Sequence, residues 1–95
     1  MNKLRLLMID DNVQLVDAVK EYFKDNEKIE LVYQASDGIE GLKLIETKDD
    51  YDVIILDLIM PNKDGLYVLE EMRKKNIDKN LFFIIHGDPL NVIYI

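Results

Sequence analysis

The chain has 95 residues, 48% of them apolar and 33% charged, which suits one globular domain with a small core and excludes disorder, collagen-like repeats and low complexity. Its 12 Lys and Arg against 19 Asp and Glu leave a net charge of −7, which repels phosphate backbones and anionic lipid and so excludes stand-alone nucleic-acid or membrane-surface binding. The absence of cysteine removes disulfides and thiolate metal sites, in keeping with a reducing cytoplasm.

No uninterrupted apolar run exceeds five residues, far too short for a membrane span, and no signal-peptide pattern surrounds the run 6–9 near the start of the sequence. The expectation is a single cytoplasmic domain over 1–95.

Leu4 and residues 6–9 read as a strand buried on both faces, stopped by Asp10, Asp11 and Asn12. That triplet offers a helix cap. Val13, Val16, Val19, Tyr22 and Phe23 then recur at helical spacing, with Leu15 beside them, and predict an amphipathic helix ending near 25–26. Residues 29–35 read as a second strand, followed by the turn and cap cluster Ser36, Asp37 and Gly38. Ile39, Leu42 and Ile45 predict a second helix closed by 48–50.

The run 53–56 is the strongest strand signal, β-branched and bounded by Asp52 and Asp57. Residues 60–65 form a loop punctuated by Pro61 and Gly65. Val68, Leu69 and Met72 predict a third helix running to about Lys75, and 81–85 a fourth strand. Strict alternation of strands and helices implies right-handed crossovers and a parallel sheet with helices on both faces.

The tail differs. Residues 86–91 read as a turn, and 92–95 as one more strand-like run. So short a connection cannot make a parallel crossover, which needs about a dozen residues. The run should fold back antiparallel on 81–85 or pair with another chain.

In an open parallel sheet, ligands bind beyond the carboxyl ends of the strands, where strand order reverses. With the first strand central, that point lies between strands one and three, which end in Asp10, Asp11 and Asp57. Three carboxylates in one crevice repel each other, and a hard divalent cation such as Mg²⁺ resolves the repulsion. A carboxylate beside such a metal can also attack phosphorus.

Plainer readings stand beside this one. Asp10 and Asp11 could be helix caps only, and Asp57 an ordinary polar strand end. Asp64 reads as a cap before Gly65, His86 as a turn residue, and Tyr33, Tyr51, Phe82 and Phe83 as core. A flavin-type nucleotide site fits poorly, because acidic residues occupy the loop that would cradle a phosphate.

The segment Met8-Ile9-Asp10-Asp11-Asn12, the run Val53-Ile54-Ile55-Leu56-Asp57 and the loop Met60-Pro61-Asn62-Lys63-Asp64-Gly65 together resemble a response-regulator receiver domain over about residues 3–85. The fold implied is flavodoxin-like, a doubly wound parallel sheet of order 2-1-3-4, without the usual fourth helix, fifth parallel strand and fifth helix. The stretch from Asp57 to Leu66 is similar in particular to the sporulation regulators of endospore-forming bacteria.

The resemblance implies that Asp57 is the phosphoacceptor, served by a histidine kinase or phosphotransfer protein and normally controlling transcription. It places Mg²⁺ among Asp10, Asp11, Asp57 and the backbone carbonyl of Ile59. The pattern also departs from the family. A Thr or Ser is expected after the fourth strand, where counting lands on His86 or Gly87, and the usual later Lys is missing from the sequence. The implied expectations are an altered or truncated receiver with slow Mg²⁺-dependent autophosphorylation, and as an alternative a non-catalytic homodimer formed through the sheet edge and 92–95.

Overall fold

A computed structural model describes residues 3–58, 60, 64–84 and 92–94. Its elements are β1 (Leu4–Ile9), α1 (Val13–Tyr22), β2 (Ile29–Ala35), α2 (Gly38–Thr47), β3 (Val53–Asp57), α3 (Gly65–Lys74), β4 (Asn80–Ile84) and β5 (Val92–Tyr94). The sheet order is β2-β1-β3-β4-β5. The first three pairings are parallel and the last is antiparallel, with Ile84 opposite Val92 and Phe82 opposite Tyr94. The expected 2-1-3-4 core is therefore present, and β5 takes the first of its two expected partners, the chain's own β4.

Strand periodicity explains the layers. Successive side chains point to opposite faces, so a fully apolar strand fills two cores. Leu7 and Ile9 of β1 and Ile54 and Leu56 of β3 pack with Leu42 and Ile45 of α2 and Val68 and Met72 of α3. Leu6, Met8 and Val53 pack instead with Val16 of α1. One helix covers one face of the sheet and two cover the other.

Each helix opens on an Asx cap whose side chain accepts a backbone N–H three residues on: Asn12 from Leu15 at 3.0 Å, Asp37 from Glu40 at 2.8 Å and Asp64 from Tyr67 at 3.2 Å. Helix α3 ends in a Schellman turn, with Asn76 left-handed at φ 55° and the N–H of Ile77 donating to the Met72 carbonyl at 2.9 Å.

Several apolar expectations need correction. Val13 is 57% and Tyr22 79% exposed, so neither belongs to the core stripe of α1, and the helix ends at Tyr22 rather than near 25–26. Tyr22 stands about 120° around the helix from Val16 and caps the ring of Phe23 edge-on instead. Ile39 is exposed too, because it lies in the first turn of α2, above the sheet rim. Tyr51 is buried as expected and donates to the Ile45 carbonyl at 3.1 Å. Tyr33 is only partly buried, and its hydroxyl donates to Asp50 Oδ1 at 2.6 Å.

Candidate functional site

Asp57 is the last residue of β3, and Asp10 is the first residue past β1. Ile9 lies opposite Leu56 in the parallel register, so the two aspartates come level across the β1–β3 gap. Helix α1 leaves β1 toward one face of the sheet and α3 leaves β3 toward the other, as their separate cores show. The gap between them is the switch point of the sheet.

Three carboxylates meet there. One oxygen from each of Asp10, Asp11 and Asp57 lies within 4.8 Å of the others, the one such grouping among the described residues. Asp10 and Asp57 are buried and Asp11 is exposed, which opens the cluster to solvent on one side. Asp10 is fixed twice: its own N–H donates to the Ala35 carbonyl at 3.0 Å, and its Oδ1 accepts the Asn12 N–H at 2.8 Å.

The cap of α1 is Asn12, so the reading of Asp10 and Asp11 as helix caps falls away. Asp64 is a cap, as expected, and stays out of the cluster.

Gly65 sets the other wall. A Cβ there would collide with the Asp57 carbonyl oxygen and stand 2.7 Å from Leu58 Cα. Only a residue without a side chain lets α3 begin this close to the end of β3. Met60, read from the sequence as a loop residue, is 7% exposed and joins the core of α2 and α3, anchoring the connection after Asp57. Ile59, Pro61, His86 and Gly87 lie outside the described residues.

The donor set suits a hard cation. Three carboxylates with no nitrogen or sulfur ligand favour Mg²⁺ or a similar ion, whose bound charge offsets their repulsion. Sequence reasoning found all three acids. It missed the Asn12 N–H that orients Asp10, and it read Gly65 as a turn residue without its close approach to the Asp57 carbonyl, because neither device involves a chemically distinctive side chain.

A doubly wound α/β protein with an acidic crevice at its switch point is the class that this fold and site define. The sequence matches the response regulator receiver domain over residues 6–88, and the chain belongs to that family. It is 44% identical over 77 residues to a protein-glutamate methylesterase/protein-glutamine glutaminase of Methanospirillum hungatei, covering 80% of this chain and 21% of that protein. It is 32% identical over 93 residues to a nitrate/nitrite response regulator homologue of Haemophilus influenzae, covering 98% of this chain and 44% of that protein. The chain thus spans less than half the length of either relative.

Among solved structures, the receiver domain of Francisella response regulator 1452 superposes with a TM-score of 0.78 at 34% identity, over 93% of this chain and 70% of that one. The response regulator domain of Thermotoga maritima CheB does so with 0.74 at 26%, over 94% and 68%. Receiver domains bind Mg²⁺ at an acidic pocket and interact with histidine kinases or phosphotransfer proteins.

Proposed function

We propose that this chain accepts a phosphoryl group on Asp57 in a Mg²⁺-dependent reaction. The observation that carries the proposal is the meeting of the Asp10, Asp11 and Asp57 oxygens within 4.8 Å at the sheet switch point. Asp10, Asp11 and Asp57 would hold the ion, with the Ile59 carbonyl as a fourth protein ligand. The chemistry Mg²⁺ would supply when held there is positive charge to offset that of the phosphoryl oxygens. An Asp57 carboxylate oxygen attacks phosphorus, the bond from phosphorus to the donor's imidazole nitrogen breaks, and the imidazole leaves with that electron pair. The Asn12 N–H holds Asp10 in place, and Gly65 holds the end of β3.

The donor is a histidine kinase or phosphotransfer protein, and the setting is the cytoplasm. The output is control of transcription, with sporulation as the process suggested by the stretch from Asp57 to Leu66. The test is intact-protein mass after incubation with acetyl phosphate, with and without Mg²⁺. A single phosphoryl adduct that needs Mg²⁺ and is absent from Asp57→Asn supports the proposal. An equal adduct on the variant contradicts it.

A second reading is a homodimer in which the outer edge of β5 pairs with its equivalent in another copy. It is favoured by the position of β5 at the end of the sheet, since edge strands template further pairing. Light scattering that gives a monomer mass at high concentration argues against it.

A further inference from the structure

One exposed residue ties the acidic crevice to the start of α1. The N–H of Asn12 donates to Asp10 Oδ1 at 2.8 Å, and its side-chain Oδ1 accepts the Leu15 N–H at 3.0 Å. Its carbonyl accepts the Val16 N–H at 3.1 Å. Two Asx bonds therefore run in series, the first holding a buried carboxylate of the cluster and the second opening the helix.

Both bonds pass through the backbone of residue 12. The N–H that meets Asp10 belongs to the peptide joining Asp11 to Asn12. Its direction relative to α1 is set by the Asn12 angles, φ −82° and ψ 91°. These are the extended values of an N-cap, and the bond from the Leu15 N–H holds them. Asn12 is exposed, so burial does not fix its side chain and the hydrogen bond must. The helix end of the series is firm, since Val16 is buried in one cluster with Leu6 and Met8. Without an acceptor at position 12 the N–H remains, but its aim is no longer held. Asp10 and Asp11 precede that same peptide and would lose a fixed placement opposite Asp57.

We propose that the Asn12 side chain is a positioning residue of the metal site, which by capping α1 steadies the N–H that orients Asp10. The proposal rests on the reading of Asp10, Asp11 and Asp57 as the Mg²⁺ site. The effect is reciprocal: whatever factor the cap adds to metal affinity, bound metal adds to the closed cap. Groups bonded directly to metal ligands commonly contribute about 10–100-fold in affinity. The Asn12 side chain acts one bond further out, so its factor should lie lower, at about threefold to tenfold.

The test is calorimetric titration of MgCl₂ into the parent, Asn12→Ala, Asn12→Ser and Asn76→Ala. Serine restores a neutral acceptor at the cap. Asn76→Ala strains the far end of α3 and serves as a destabilised control away from the crevice. No substitution changes the net charge, and urea unfolding verifies that each protein is folded at the titration temperature. Asn12→Ala should bind Mg²⁺ more weakly by the stated factor, while Asn12→Ser and Asn76→Ala stay close to the parent. Parent-like affinity in Asn12→Ala, a loss shared by Asn76→Ala, or a loss that serine does not recover overturns the proposal. Absence of Mg²⁺ binding by the folded parent instead overturns the metal-site reading, and the proposal with it.

Amide exchange reads the coupling from the other side. Saturating Mg²⁺ should slow exchange at Leu15 of the parent by the same factor. The Glu40 N–H, held by Asp37 in the same way at the start of α2, should change much less. Equal slowing at both amides would mean general stabilisation by bound metal and would contradict the coupling.

Discussion

A side chain on Gly65 has no room, because the carbonyl oxygen of Asp57 already occupies the space where a Cβ would sit. Gly65→Ala should therefore cost about 1–3 kcal/mol, as overpacking against backbone does, and should also lower Mg²⁺ affinity. Urea unfolding measures the first effect and calorimetric titration the second. Gly41 makes a useful contrast. The three atoms nearest a Cβ there are all in the side chain of Ile9, the closest at 2.5 Å, so Gly41→Ala should disturb packing while leaving metal affinity near that of the parent.

Without metal, the carboxylates of Asp10, Asp11 and Asp57 repel one another in a partly desolvated crevice. Asp57→Asn should raise the melting temperature in the presence of EDTA, a gain of the kind expected where a functional site sacrifices stability. Added Mg²⁺ should stabilise the parent progressively as binding to the native state demands, and stabilise the variant much less. Differential scanning calorimetry across a Mg²⁺ series reads both.

At the opposite rim, Arg5 ties the α2–β3 connection to the sheet. Its Nε donates to the Asp50 carbonyl at 2.6 Å, and its Nη2 meets Asp50 Oδ2 at 3.2 Å. The hydrogen bond from Tyr33, and behind it Arg5, holds the Asp50 carboxyl below its ordinary range. The same bond to Asp50 pushes the Tyr33 hydroxyl up. A depressed carboxyl stabilises the fold above its unfolded pKa and loses that contribution as pH falls through its folded value. A raised phenol stabilises below its unfolded pKa and loses that contribution as pH rises through its folded value. The stability margin of the parent over Tyr33→Phe should therefore be present at neutral pH and fade at both extremes. Urea midpoints across pH give the comparison, and a margin independent of pH would contradict it.

Asn76 ends α3 in the left-handed region at φ 55°, where a Cβ-bearing residue other than Asn or Asp costs about 1–2 kcal/mol. Asn76→Ala should destabilise by about 1 kcal/mol, and Asn76→Gly should match or exceed the parent. Thermal unfolding of the two variants is sufficient.

Much of this molecule was legible before its structure. The runs at 6–9 and 53–56 are apolar at every position, so their burial on both faces follows from composition, while the central place of β1 came with the family resemblance. Asp10, Asp11 and Asp57 were legible for a related reason: a charge placed directly after a buried strand must lie at the sheet rim. The helix faces were less legible. Val13 and Ile39 keep the helical period but sit in first turns, above the last layer of sheet that could cover them. The Arg5 network was hidden because its side-chain partners Glu30 and Asp50 are 25 and 45 residues away and carry no local pattern.

The most direct measurement locates the phosphoryl group. Protein treated with acetyl phosphate and Mg²⁺ is reduced with borohydride, which converts an aspartyl phosphate to homoserine, and its peptides are then sequenced by mass spectrometry. Homoserine at position 57, and Asp unchanged at 10, 11 and 64, is the expected result. Homoserine at any of those other positions, with Asp57 intact in a folded protein, would contradict the assignment of Asp57 as the phosphoacceptor.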